Sequence, residues 1–150
     1  MGLPIIRVLI VDDYEPWRRF IRLALLAYEQ LQVVGEASEG LEAVEKAHQL
    51  QPDLILLDIG LPKLDGIEAA SRIRAVSPTS KILFVSENHS HELAQEALSN
   101  GAGGYVVKSD AWHELLPAIK AVLEGKRFIS ARLAGHFLVA AILSTTQTVF

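Results

Sequence analysis

Asp12, Asp13 and Asp58 are carboxylates, Ser86 is a hydroxyl and Lys108 an ammonium, and each stands where an apolar run ends. Ile6–Val11 runs into Asp12-Asp13, Leu54–Leu57 into Asp58, Ile82–Val85 into Ser86, and Tyr105–Val107 into Lys108. Near-continuous Val/Ile/Leu runs of this length are the mark of parallel strands buried on both faces. In an open α/β sheet the functional crevice lies outside the carboxyl ends of those strands, so the five side chains are expected on one rim. Crowded carboxylates repel and raise one another's pKa. A hard divalent cation removes that conflict: Mg²⁺ prefers oxygen ligands and typically takes one or two carboxylates plus a phosphate oxygen. Asp58 can then be a third ligand or a nucleophile, because an aspartyl oxygen attacking phosphorus forms an acyl phosphate. The equatorial oxygens of a transferring phosphoryl group need donors and positive charge, which Lys108 and Ser86 supply. Taken singly, each residue has a plainer explanation as a turn former, a helix cap or a solvated loop group. Their conjunction on four strand ends is what points to Mg-dependent phosphoryl transfer to an aspartate.

The elements that must position these groups alternate along the chain. Ile5–Val11 reads as a strand, and Glu15–Tyr28 carries Trp17, Phe20, Ile21 and Leu25 at helical spacing. Leu31–Gly35 is a short second strand. Ser38 is placed to cap a helix running to Leu50, which Gln51-Pro52 stops. Asp53–Asp58 is the third strand, and 60–66 is a loop by its glycine and proline content. A helix over Ile67–Val76, a strand over Lys81–Ser86, a helix over Glu92–Ser99 and a strand over Gly104–Val107 follow. Asp110 is placed to cap a last helix through Glu124. Five β–α units in sequence predict a parallel sheet sandwiched by helices with right-handed crossovers.

The chain has 150 residues, half of them hydrophobic and 21% charged, with net charge -4 and no cysteine. Its length suits one domain with a single core. The acidic balance gives no global nucleic-acid or membrane surface. Without cysteine there are no disulfides, thiolate metal sites or cysteine catalysis. The first residues lack a basic region followed by an apolar stretch, so no signal peptide is read. No apolar run approaches the roughly 20 residues of a membrane span. A cytoplasmic protein is expected.

The motifs Val8-Leu9-Ile10-Val11-Asp12-Asp13, Pro52 through Asp58, Leu61-Pro62-Lys63-Leu64-Asp65-Gly66, Ser86, Gly101-Ala102-Gly103-Gly104-Tyr105 and Lys108-Ser109 resemble those of bacterial response-regulator receiver domains. The resemblance covers about Ile5–Gly125. It implies a flavodoxin-like three-layer αβα sandwich with a five-stranded sheet of order 2-1-3-4-5. It also implies that Asp58 accepts phosphate from a sensor histidine kinase. Asp13, Asp58 and the Gly60 carbonyl would hold Mg²⁺, with Asp12 acting mostly through water. Ser86 and Lys108 would bind the phosphoryl oxygens, and Tyr105 matches the aromatic coupled to the hydroxyl at Ser86. Phosphorylation would then draw Ser86 in, let Tyr105 turn inward, and remodel the surface of the fourth helix, fifth strand and fifth helix. Two departures stand out: Glu87 where a small residue is usual, and Ser109 where a proline often follows the lysine. Lys-Ser and the ending through Gly125–Ser130 look like the NarL/LuxR-type branch, whose output is transcriptional.

Residues 1–125 are therefore read as the receiver and 126–150 as a linker with an amphipathic helical extension. Gly125–Ile129 looks like a connector, and Ser130 is placed to cap a helix over Leu133–Leu143. The stripe Leu133, Phe137, Ala140, Ala141 and Leu143 would either pack on its own domain or contact another molecule, a homodimer among the options. The segment after Ser130 is too short for a helix-turn-helix domain and carries only Arg132 and His136 as basic groups. DNA would be reached only through an output domain outside this chain. A phosphatase that turns over an external substrate is disfavoured, because the acid/base Asp expected two residues after the nucleophile is Gly60. A flavodoxin-like electron carrier is disfavoured by the acidic Asp12-Asp13 loop, which would repel a flavin phosphate. A receiver used only for docking, never phosphorylated, is the alternative reading.

Overall fold

The computed structural model describes residues 4–135. Six strands, β1 (Ile6–Val11), β2 (Leu31–Ala37), β3 (Leu54–Leu57), β4 (Lys81–Ser86), β5 (Gly104–Val107) and β6 (Phe128–Ile129), form one sheet in the order β2-β1-β3-β4-β5-β6. Every neighbouring pair is parallel. The flavodoxin-like order 2-1-3-4-5 holds, with one strand added at the β5 edge.

Five helices cover the sheet: α1 (Glu15–Leu26), α2 (Gly40–Leu50), α3 (Gly66–Val76), α4 (His91–Ser99) and α5 (Ala111–Leu123). Alternate strand residues face opposite layers. Leu9, Val11, Ile55, Leu57, Phe84 and Tyr105 pack with α2, α3 and α4. Val8, Ile10, Leu54, Leu56, Leu83 and Val106 pack with α1 and α5. The inner strands therefore carry unbroken apolar runs, Val8–Val11, Leu54–Leu57 and Ile82–Val85 among them, which made them readable. Each fully buried aliphatic side chain contributes roughly 1.5–3 kcal/mol.

Register sets the rim. Val11 pairs with Leu57 across β1 and β3, so Asp12 and Asp58 leave the sheet side by side. Ser86 is level with Val107 across β4 and β5, and Lys108 follows one residue later. Asp58 N–H donates to the Val11 carbonyl at 3.0 Å, extending the ladder to the acceptor itself. On the far side, Gly66 opens α3 directly against this strand end. A Cβ there would lie 2.0 Å from the Asp58 carbonyl oxygen, so only glycine allows the approach. Asp65 accepts the Glu68 N–H and fixes where α3 begins.

Several local expectations are corrected. The N-cap of α2 is Glu39, with no side-chain cap bond. Ser38 instead donates its N–H, at 2.7 Å, and its hydroxyl to Glu42 Oε1. Asp110 occupies the N-cap of α5 but caps nothing with its carboxylate, which is held by Arg132 at 2.6 and 2.8 Å. The stretch read as a connector contains β6, because β5 offers an open edge that Phe128–Ile129 can pair with. A helical turn begins at 131, but Ser130 does not cap it with its side chain, which is engaged elsewhere. Leu133 of the expected stripe is 1% exposed and lies in the core on the α4 side. Phe137, Ala140, Ala141 and Leu143 lie outside the described residues.

Candidate functional site

At the carboxyl end of the sheet, Asp12, Asp13 and Asp58 each bring one carboxylate oxygen within 4.8 Å of the others. Asp12 and Asp58 are buried and Asp13 is exposed. Two of the three are held by their own turn. Asp12 Oδ1 accepts the Tyr14 N–H at 2.9 Å, and Asp58 Oδ1 accepts the Ile59 N–H at 2.8 Å. Lys108 crosses from β5, its Nζ 2.5 Å from Asp12 Oδ2 and 3.4 Å from Asp58 Oδ2. The closer contact is an ion pair without hydrogen-bond alignment, so buried Asp12 Oδ2 still lacks a directed donor.

The charges perturb one another. Burial pushes the Asp58 carboxyl above its ordinary pKa; Lys108 opposes that and the Asp12 charge adds to it. Burial alone would lower the Lys108 ammonium, but the Asp12 contact and the Asp58 charge outweigh it, and its net shift is upward. Three carboxylates against one ammonium leave the cluster net negative. Together with the undirected Asp12 oxygen, that donor set fits a hard, oxygen-seeking cation such as Mg²⁺.

An open cleft of about 960 Å³ lies over these groups, lined by Asp13, Asp58, Gly60, Ser86, Asn88 and Lys108 among others. Gly60 is exposed in it. Ser86 is buried, and its Oγ accepts the Asn88 N–H at 3.1 Å. Glu87 is exposed and also borders the cleft. Among the described residues there is no cis peptide bond, so Lys108–Ser109 is trans.

Tyr105 lies beneath the loop that carries Asn88. Its ring is 0% exposed, and its hydroxyl donates to the Asn88 carbonyl at 2.7 Å. The ring thus sits inward, and the phenol is tied to the loop before α4. Burial pushes the phenol pKa up, and the Asp58 charge adds to the shift.

Of the seven residues singled out from sequence, Asp13, Asp58, Gly60, Ser86 and Lys108 line the cleft, while Asp12 meets it through Lys108 and Tyr105 through Asn88. Three further contributors were not picked out for these roles. Arg18 Nη1 donates to the Asp12 carbonyl at 2.7 Å. Trp17 lies with its ring centroid 5.1 Å from Lys108 Nζ, a cation–π contact. Asn88 links Ser86 to Tyr105 through its backbone N–H and carbonyl. Trp17 read as part of an apolar stripe, and only its closeness to Lys108 reveals the second role. Asn88 acts through its own backbone, which leaves no residue-type signal, and the Arg18 guanidinium reaches a backbone carbonyl, a partner that no motif marks.

Residues 8–120 match the response regulator receiver domain family. The chain is 36% identical to the response regulator GacA of Pseudomonas viridiflava over 129 residues, which are 86% of this chain and 60% of that protein. A crystal structure of a LuxR-family two-component response regulator from Aurantimonas sp. SI85-9A1 superposes with TM-score 0.86 at 32% identity. It covers 92% of this chain and 99% of that one. The response regulator domain of Thermotoga maritima CheB superposes with TM-score 0.74 at 34% identity, over 80% of this chain and 97% of that one. This chain thus spans about three fifths of the length of a curated relative such as GacA. With the acidic cluster, the lysine and the strand order agreeing with the matched span, the chain belongs to the response regulator receiver domain family.

Proposed function

We propose that this chain is the phosphate-accepting part of a two-component response regulator, with Asp58 as acceptor. The observation that carries the reading is Lys108, whose ammonium meets both Asp12 and Asp58 beside the three-carboxylate cluster. In the reaction, an Asp58 carboxylate oxygen attacks the phosphorus of a phosphohistidine. The P–O bond forms, the P–N bond breaks, and the imidazole leaves with the electron pair. The product is an aspartyl phosphate. Lys108 stabilises charge on the phosphoryl oxygens, and the Ser86 hydroxyl donates to one of them. Asp12, Asp13, Asp58 and the Gly60 carbonyl would hold Mg²⁺, which when bound supplies further positive charge to those oxygens. Ser86 and Tyr105 form the switch, and residues 126–150 are a linker and extension, of which the described part, 126–135, packs on the domain through β6 and Leu133.

The donor in this reading is a sensor histidine kinase, the setting is the cytoplasm, and the output is transcriptional, through sequence outside this chain. No helix among the described residues is long and apolar enough to cross a membrane. The chain is a phosphoacceptor rather than an enzyme acting on an external substrate, and a homodimer is one option for its assembly. The test is acid-labile phosphate incorporation from acetyl phosphate with MgCl₂. Wild type should incorporate phosphate and Asp58→Asn should not; incorporation by Asp58→Asn at the wild-type rate overturns the assignment.

A further inference from the structure

Lys108 sits on a short turn (Lys108–Asp110) between β5 and α5, and the chain beyond β6 grips that turn on both sides. Ser130 is 0% exposed. Its backbone N–H donates to the Tyr105 carbonyl at 2.9 Å, continuing the β5–β6 ladder. Its Oγ then accepts the Val107 N–H at 2.8 Å, standing in for the next strand carbonyl one residue before Lys108. The same hydroxyl donates to Glu114 Oε1 at 2.5 Å, and the other Glu114 oxygen accepts the Ala131 N–H at 2.9 Å. Two residues past Lys108, Asp110 takes Arg132 through both carboxylate oxygens.

We infer that Ser130, braced by Glu114 and by the Asp110–Arg132 pair, is a positioning residue that clamps the Lys108 turn and couples it to the segment beginning at Ala131. The coupling rests on the phosphoacceptor reading above. A buried N–H such as Val107's is costly to leave without a partner, so the turn and Ser130 move together or stay together. Arg132–Asp110 is a half-exposed pair and is weak alone. Its bidentate geometry adds directional restraint to a turn already fixed by Ser130. Coupling of this kind is reciprocal: whatever shifts Lys108 alters the seat of the 131 helix start, and release of that segment alters Lys108.

The test uses the full chain in a Trp112→Phe background. Trp112 is 77% exposed, and its removal leaves Trp17 as the reporter of Lys108 position. Ser130→Ala, Arg132→Ala and Arg132→Lys are compared for Trp17 emission and for the rate of phosphate incorporation from acetyl phosphate. Ser130→Ala should change Trp17 emission and slow incorporation at least threefold. Arg132→Ala should move both in the same direction by less, with Arg132→Lys between it and wild type. Unchanged Trp17 emission in both alanine variants overturns the clamp, as does an unchanged rate in both when wild type takes up phosphate. If wild type takes up none, the phosphoacceptor reading fails, while Trp17 emission still decides the clamp. Should Ser130→Ala not fold, the surface Arg132 series decides it.

Discussion

Lys108 leans on Asp12, at 2.5 Å, rather than on Asp58, at 3.4 Å. Among the described residues its ammonium is the cation nearest the acidic carboxylates, and it is only 10% exposed as a side chain. Removing one partner from a buried charge pair leaves the others uncompensated, at a cost of about 3–5 kcal/mol. Lys108→Met should therefore lose about 3 kcal/mol in urea unfolding with EDTA present. MgCl₂ should recover part of that loss, since an ion bound only by the folded state stabilises it by mass action. Equal stability of variant and wild type in EDTA would show that Asp12 and Asp58 do not need the lysine.

The raised Asp58 carboxyl makes a pH prediction with a definite sign. A folded-state pKa above the unfolded one means the neutral acid is favoured in the fold. That contribution is fully present below the unfolded pKa and is lost as pH rises through the raised folded value. At neutral pH the charged Asp58 thus weighs against folding. Asp58→Asn should be more stable than wild type at pH 7 without metal, and the gain should shrink toward pH 4. Urea titrations at the two pH values check this; a loss of stability at pH 7 would contradict it.

Tyr105 and Asn88 join β5 to the loop before α4 through one hydrogen bond from a fully buried phenol. Tyr105→Phe keeps the ring and removes the donor, at a cost of about 1 kcal/mol. The loop over 87–90 should then exchange its amides faster while the sheet does not. Hydrogen–deuterium exchange reads both, and unchanged loop exchange would mean the phenol does not restrain it.

Gly66 places the start of α3 against the strand end that carries Asp58. A Cβ there would also sit 2.7 Å from the Ile59 Cα, and both obstacles are backbone, which cannot step aside. Gly66→Ala should cost more than about 2 kcal/mol, at the upper part of the overpacking range. It should also lower phosphate incorporation, because the displaced backbone is that of the acceptor. Thermal melts and the acetyl phosphate assay check the two effects separately.

Much of this was legible in the chain itself, for a physical reason. β3, β4 and β5 lie in the middle of a parallel sheet, so Leu54–Leu57, Ile82–Val85 and Tyr105–Val107 had to be apolar on both faces, and their polar successors stood out. Topology then brought Asp12, Asp58 and Lys108 together without further information. β6 was not legible, because two residues have no periodicity and pair only because β5 offers an open edge. Ser130 looked like a helix cap, the commonest role for serine before a helix, and its buried bonds to Val107 and Glu114 depend on that pairing. The state of Tyr105 was hidden for a different reason: a rotamer answers to its cavity, and the residue type alone is compatible with either position.

A fragment cut after Gly125, where α5 finishes, would strip β5 of its outer neighbour and bare the Tyr105 carbonyl and the Val107 amide. Such a raw hem invites strand addition from any passing chain. Self-association of that shortened fragment would then record the missing seam rather than signalling.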